Sequence, residues 1–393
     1  MALTNILLAV LGLIAVLGPF GTDVYLPALP QMAHDLHTTA SGAQLVITFF
    51  SIGMAIGQLI MGSTSDRFGR RPLLIAGPGL MAAACLASAF APNITVLLFT
   101  NIAIGIAACT GMVVGRALIS DIAKDTDAAR GYALMGMVVG LGPVIGPIGG
   151  ALVMGISNWR GIFVAMAIFA AVLTVLAIFA IPETLPVEKR HSGGLAKLIR
   201  ASGSIIRDRN YLRHSLVLWS SLMLLFGYIS ASPFIVETLL GISPFWYTID
   251  FAFNGTLMIV TGGIVARLVH RVGPRQMVKL ALAMQALAAT IFGAMTLLNS
   301  FGHVPVSPIA VFATFALIPS SLSFLYGPVT ALALRDIQSL TGTALAIQGA
   351  VQFLVVGTVA TLVGAAGDQA IWPLAIVLAC GSGIGVLAFI KKP

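Results

Sequence analysis

The chain has 393 residues, 58% of them apolar and only 9% charged, a balance that excludes a water-soluble globule and describes a polytopic membrane protein. Its formal charge of +8 and pI near 9.8 would suit a nucleic-acid binder, but the charges gather in alternate loops between apolar runs, so no nucleic-acid partner is expected. The three cysteines, Cys85, Cys109 and Cys380, lie in apolar stretches without metal-ligand spacing and the six histidines are scattered, so neither a disulfide framework nor a metal site is expected.

Apolar runs of about 20 residues, long enough to cross a bilayer as helices, begin near residues 4, 43, 73, 95, 131, 161, 212, 244, 276, 307, 340 and 370. Twelve transmembrane helices are therefore predicted. The first run lacks a basic leader and a cleavage site and is too long for a signal core, so it reads as span one. It continues as Phe20-Gly-Thr-Asp23-Val-Tyr25-Leu-Pro27-Ala-Leu-Pro30. Asp23 is the one carboxylate within the first six spans, and facing lipid it would cost on the order of 3 kcal/mol. It must face a cavity or a partner, or cap a helix kinked by the prolines that follow.

Between spans two and three stands Gly62-Ser-Thr-Ser-Asp66-Arg67-Phe-Gly69-Arg70-Arg71-Pro72, which reads as a tight charged turn. Span four contains Asn101 and ends in Arg116 and Asp121. Span five carries Gly136, Gly140, Gly142, Pro143, Gly146, Pro147, Gly149 and Gly150. Such a helix lets a neighbour approach closely and bends at its prolines. Trp159-Arg160 opens span six, and Pro182-Glu183-Thr184-Leu185 follows it.

Only one connection is long. It divides the chain into bundles at 1–182 and 213–393 with a linker at 183–212, where Ser192-Gly193-Gly194 is a flexible break. Leu195, Leu198, Ile199, Ile205 and Ile206 alternate there with Lys197, Arg200, Arg207 and Arg209, which suits either an amphipathic surface helix or a solvated linker. In the second half, Arg267-Leu-Val-His270-Arg271-Val-Gly273-Pro-Arg275 repeats the charged turn in degraded form, and Asp336-Ile337 echoes Asp121-Ile122. The matches lie roughly 210 residues apart, as duplication of a transporter bundle predicts. Of the 21 lysines and arginines only Arg160 falls in the other set of loops, so the positive-inside bias places both termini in the cytoplasm.

The chain resembles the major facilitator superfamily over essentially its whole length. The Gly62–Pro72 turn is similar to that family's signature loop, and the resemblance implies a conformational charge network joining Asp66 and Arg70 to Arg116 and Asp121, with Gly62, Arg67, Gly69 and Arg71 completing the motif. The Gly142-Pro143, Gly146-Pro147, Gly149-Gly150 pattern resembles the motif that marks exporters working by antiport. The Thr-Asp-x-Tyr-Leu-Pro-Ala segment at Asp23, with Trp159-Arg160 and Pro182-Glu-Thr-Leu185, is similar to the Bcr/CflA type of drug:proton antiporters. The resemblance implies Asp23 as the proton-coupling acid. Many proton-coupled drug exporters carry Arg in span four, with Gln and Gly after it; the matching positions here are Asn101, Ile104 and Gly105.

The expected architecture is an all-α fold of two pseudo-symmetric six-helix bundles. A substrate cavity near the midplane is expected to draw on Tyr25, Asn101, Tyr228, Phe251, Asn254, Tyr326, Gln348 and Gln352. Gln348 and Gln352 share a helix face at i,i+4. Trp246 and Tyr247 read better as an interfacial anchor. Asp250 reads as a vestibule acid or, second, as another coupling acid. Aromatics, amides and one acid suit small amphiphilic neutral or cationic compounds. No nucleophile elbow, zinc-protease motif or phosphate loop is present, so the expectation is a monomeric, multi-pass exporter in a bacterial-type inner membrane, driven by protons and needing no cofactor. The alternatives are export or facilitation of a natural metabolite such as a sugar or amino acid derivative, and a membrane-embedded sensor or enzyme.

Overall fold

An apolar run in lipid must satisfy its own backbone, which leaves helix as its only open-ended form. The computed structural model describes residues 4–122, 131, 135, 138, 142–186, 188, 190, 203–302, 304–335, 337, 341–364 and 371–390, and among these there is no strand. The helices are α1 (Asn5–Asp23), α2 (Leu29–Asp35), α3 (Ala40–Phe68), α4 (Arg70–Ala89), α5 (Ile94–Ile122), α6 (Gly142–Ile156) and α7 (Trp159–Ala180) in the first half. In the second are α8 (Arg209–Pro233), α9 (Pro244–Val272), α10 (Pro274–Gly302), α11 (Pro308–Leu334), α12 (Thr341–Gly364) and α13 (Ile371–Ile390). Eleven helices among the described residues are long and apolar enough to cross a membrane, with a shorter apolar helix at Ile145–Ile156. The chain is a multi-pass membrane protein, and the starts of the eleven long helices fall within a few residues of those predicted, while the predicted start of span five near 131 falls among residues mostly outside the described ones.

The chain divides into two compact units, one of residues 1–38 and 45–200 and one of 39–44 and 201–393. In the first, span one is a broken helix. Thr4 Oγ1 caps α1 by accepting from Leu7 N at 3.3 Å, the helix ends at Asp23, and a 3-10 turn at Leu26–Ala28 leads into α2. Pro27 and Pro30 supply no backbone donors, so α1 cannot continue unbroken through them.

The stretch read as a tight turn is mostly helix. α3 runs on to Phe68, the turn is Gly69 alone with φ at 102°, and α4 restarts at Arg70. Ser63 and Thr64 donate to Ile60 O, and Ser65 to Gly62 O, so the polar side chains bond along the helix instead of leaving it. The second unit repeats the device at Gly273, φ 85°, between α9 and α10.

α8 passes Pro233 into a π-helical turn at Phe234–Leu239. Val217, Leu222, Val278, Leu282, Leu322 and Val329 form an apolar core from α8, α10 and α11. Gln285 threads it, accepting from Ser221 Oγ at 3.2 Å and donating to Ser321 Oγ at 3.2 Å. The linker residues Leu195, Lys197, Leu198, Ile199 and Arg200 lie outside the described residues, as do Gly136, Gly140 and Asp336. Ile205 is buried with Tyr211, Ala333, Ala344 and Ile347 while Ile206 is exposed, so this end of the linker packs into the second unit.

Candidate functional site

Asp23 is the last residue of α1 and is 3% exposed. Thr22 Oγ1 donates to its Oδ1 at 3.0 Å and also lies 2.9 Å from Pro19 O. Among the described residues no lysine, arginine or histidine pairs with it. α6 lies directly on this break. A Cβ on Gly142 would come 2.7 Å from Pro19 Cγ, a Cβ on Gly146 3.1 Å from Asp23 Cβ, and a Cβ on Gly150 would run into the Val24 carbonyl oxygen. Gly142, Gly146 and Gly150 repeat at i, i+4 and i+8, one face of the helix. Gly149 meets nothing within 4 Å among the described residues, and Pro147 is buried. The side chain of Pro143 lies outside the described ones.

Tyr25, two residues past the break, is fully buried and stacks on Phe163 with centroids 5.7 Å apart, and among the described residues its hydroxyl has no hydrogen-bond partner. Asn101 is also buried; its Nδ2 donates to Leu97 O at 2.8 Å on its own helix, and its Oδ1 has no partner among the described residues.

At one end of the same unit Arg70, 7% exposed, gathers the charged residues. Its Nε donates to Asp121 Oδ2 at 3.0 Å, and its terminal nitrogen to Asp66 Oδ1 at 2.6 Å and Ser65 Oγ at 2.5 Å. Arg70 binds both carboxylates. Glu183 closes the network: its Oε1 accepts from the Arg70, Thr184 and Leu185 backbones at 3.0 Å, its Oε2 pairs with Arg190 at 3.5 Å, and Thr184 Oγ1 donates to Asp121 Oδ2 at 3.1 Å. A Cβ on Gly69 would collide with Glu183 Oε2, so this glycine is required by space as well as by φ. Arg71 donates to Ile178 O at 2.9 Å, and Arg67 lies over the Phe68 ring. At Gly62 a Cβ would meet only an ordinary contact, 3.7 Å from Val113 Cγ1.

Sequence reasoning used Glu183 and Thr184 as markers of a branch and missed them as network members. It also missed the clamp at the opposite end, where Trp159 Nε1 donates to Asp35 Oδ2 at 3.1 Å and Trp159 N to Gln31 Oε1 at 3.0 Å. Arg160 there donates to Ala89 O and Ala91 O while lying 4.2 Å from the Trp159 ring centroid. The one basic residue on the wrong side of the charge bias therefore ties α7 to the end of α4.

In the second unit the structure brings three cavity candidates together. Asn254 Nδ2 donates to Tyr228 OH at 3.2 Å and to Asp250 Oδ2 at 3.1 Å, and Tyr228 stacks on Phe251 at 5.9 Å. Phe315, which the sequence did not single out, lies 4.6 Å from Tyr228. Trp246 and Tyr247, read as an interfacial pair, separate: Trp246 is exposed, whereas Tyr247 is buried beside Phe251, its hydroxyl 3.2 Å from Ser232 Oγ. Gln348 and Gln352 serve different contacts. Gln348 Nε2 reaches Ser215 Oγ at 3.4 Å, whereas Gln352 Oε1 accepts from Tyr326 OH at 3.5 Å. A further acid that sequence reasoning passed over, Glu237, sits in the π-helical turn with its Oε1 buried and without a partner among the described residues.

The sequence pattern of the Major Facilitator Superfamily matches residues 11–361. The chain belongs to the major facilitator superfamily. Along 381 residues it is 30% identical to an uncharacterized transporter of this type, YdgK of Bacillus subtilis, covering 96% of this chain and 93% of that one. It is 27% identical to a bicyclomycin resistance protein homolog of Haemophilus influenzae, covering 98% of this chain and 96% of the other. Its fold is similar to that of a D-xylose–proton symporter, with a TM-score of 0.74 at 16% identity and 99% and 98% of the two chains covered. This is a transporter family, not an enzyme family. Chemically, Asp23 in the first unit and Asp250 in the second are carboxyl groups within spanning stretches whose side-chain hydrogen-bond donors, among the described residues, are uncharged: Thr22 and Asn254.

Proposed function

We propose that the protein is a proton-coupled exporter of small amphiphilic compounds that works by alternating access. The observation that carries this reading is Asp23, a carboxyl group buried at a helix break, bonded only by Thr22 among the described residues and overlaid by the Gly142, Gly146 and Gly150 face of α6. A carboxyl group with no cationic partner can change protonation without breaking an ion pair. A helix seam made of hydrogen atoms alone can slide or bend where side chains would lock it. The kinship with a bicyclomycin resistance protein homolog supports drug-like substrates. In this reading the Arg70 network holds one arrangement of the helices and releases it when they move. Both termini face the cytoplasm of a bacterial-type inner membrane, and the proton gradient replaces any cofactor.

The test uses purified protein in liposomes with an imposed pH gradient, following accumulation of a phenicol in wild type and in Asp23→Asn. Gradient-driven accumulation in wild type that is lost in the variant is expected. Full accumulation by Asp23→Asn would overturn the coupling assignment, and accumulation independent of the gradient in wild type would replace antiport with facilitation.

A further inference from the structure

The spans α4 and α7 meet water at the same level, where Arg160 lies. α4 stops at Ala89 and α7 starts at Trp159, and both are long and apolar enough to cross a membrane, so at this level the hydrocarbon gives way to the phosphates of the lipid head groups. A cleft of about 500 Å³ opens here between the two helix ends, with Ala89, Phe90, Pro92, Ser157, Arg160 and Val164 in its walls. Arg160 Nη1 donates to Ala89 O at 2.9 Å and to Ala91 O at 2.8 Å, and the guanidinium lies 4.2 Å from the Trp159 ring centroid. These contacts fix the group in place but leave its charge unanswered. Among the described residues no carboxylate pairs with it; Asp35, the acid of the same clamp, is engaged by Trp159 Nε1 and His34. Ser157 is exposed, and a Cβ on Gly161 would strike its Oγ, so this hydroxyl stands over a residue without a side chain in the wall of the same cleft.

We propose that this cleft binds an anionic phospholipid, its phosphate held by Arg160 and the Ser157 hydroxyl and its acyl chains laid along α4 and α7. A guanidinium with free donors is the side chain best matched to phosphate oxygens, and one guanidinium answers the single negative charge of a phosphodiester. The surroundings favour a lipid over a free anion. Leu86 precedes Phe90 by one turn on α4, and Ile168 and Val172 follow Val164 at i+4 and i+8 on α7; Leu86, Phe90, Ile168 and Val172 are all exposed, so an apolar track runs from the cleft toward the middle of the spans. The N-terminus of α7 is not what holds the anion, because its first backbone donors are taken: Trp159 N by Gln31 Oε1, and Arg160 N and Gly161 N by Asn158 Oδ1. Such a site also accounts for the one basic residue of 21 that stands apart from the charge bias. It rests on the spans and the cleft and not on the exporter reading.

The test is native mass spectrometry of the purified full-length protein, titrated in detergent with dioleoylphosphatidylglycerol. One tight equivalent is expected in wild type. Arg160→Gln should raise its Kd about tenfold or more, since the charge and its hydrogen bonds go together. Ser157→Asp should raise it about fivefold or more by offering Arg160 a competing carboxylate. Ser157 is exposed and outside the clamp, so this variant carries the test if Arg160→Gln does not purify as a monodisperse protein. Lys279→Gln, which removes an exposed cation of the second unit, should leave Kd within about twofold. Dioleoylglycerol, with the same chains and no phosphate, should bind about tenfold more weakly or worse, and inorganic phosphate in large excess should not displace the lipid. No tight equivalent in wild type, unchanged affinity in Arg160→Gln or Ser157→Asp, an equal loss in Lys279→Gln, or equal binding of dioleoylglycerol overturns the site. Displacement by inorganic phosphate would make the cleft a site for the free anion and overturns the lipid assignment. No substrate or gradient enters this measurement, so its failure leaves the proposed function standing, and failure of phenicol transport leaves the lipid site standing.

Discussion

Gly149 and Gly150 are adjacent and identical in chemistry, yet they should respond in opposite directions to the same substitution. At Gly150 a new Cβ would meet the Val24 carbonyl oxygen next to Asp23, whereas at Gly149 it meets nothing within 4 Å among the described residues. Backbone oxygen cannot rotate away as a side chain does, so Gly150→Ala must push α6 off α1. Overpacking of this kind costs about 1–3 kcal/mol. Replacing a helical glycine with alanine returns about 1 kcal/mol through helix propensity, and that gain is common to both sites. The difference between the two variants is therefore the overpacking term alone, about 1–3 kcal/mol. Gly146→Ala should fall between them, since its Cβ would press Asp23 Cβ at 3.1 Å, a contact that a few tenths of an ångström of adjustment relieves.

Thermal unfolding of the purified variants in detergent measures the order directly. For a unit of roughly 200 residues each kcal/mol shifts Tm by about 2–4 °C, so Gly149→Ala should unfold roughly 2–12 °C above Gly150→Ala, with Gly146→Ala between. If Gly149→Ala fell as far as Gly150→Ala, the seam would not run along one face and the placement of α6 on the Asp23 break would be refuted.

Two further outcomes follow from the ends of the first unit. Arg70→Lys should lower the initial rate of substrate–proton exchange in liposomes about tenfold or more, because an ammonium cannot hold Asp121 through one nitrogen and Asp66 through another. The Asp121 leg carries most of this, since the Asp66 side chain is 52% exposed and its pair is screened; a wild-type rate in Arg70→Lys would show that the fork is dispensable. Trp159→Phe removes the 3.1 Å bond to Asp35 but keeps the edge contact with Phe163, so it should cost about 1 kcal/mol, against about 3–5 kcal/mol for Trp159→Ala. Equal Tm losses in the two variants would place the whole contribution of Trp159 in its hydrogen bond.

The spans were legible because their signal is a sum over about 20 residues, which no single neighbour overturns; the starts at 94, 244 and 308 sit almost where the apolar runs begin. Asp23 stood out for a similar reason: one acid in an apolar run is conspicuous, and the structure buries it at the end of α1. What stayed hidden depended on partners distant in sequence. Glu183 is 113 residues from Arg70, Asp35 is 124 from Trp159, and nothing local marks either as a ligand of the other. The glycine motif was visible as composition, but which glycines bear on α1 is fixed by the rotation of α6 about its axis, and a run in which small residues occupy several faces does not encode that rotation. Phe315 and Glu237 were passed over because an aromatic in an apolar run and an acid near a span end look ordinary until a neighbour is placed beside them.

The repeated turn then separates what duplication keeps from what it loses. Gly69 and Gly273 share a positive φ, 102° and 85°, so both halves reverse from one long helix into the next through a single residue that only glycine occupies without strain. Around that shared backbone the chemistry differs. The position after Gly69 is Arg70, which carries the network; the position after Gly273 is Pro274, a favourable first helical residue with neither guanidinium nor backbone N–H. Three residues before the glycine, Asp66 is answered by His270. A Cβ on Gly69 would strike Glu183, whereas one on Gly273 meets nothing within 4 Å among the described residues. Among the described residues the second unit therefore keeps the turn without a counterpart of the Arg70 network. Pro274→Arg would add a guanidinium to a stretch that already carries Arg267, Arg271 and Arg275, and so repulsion where the first unit has attraction.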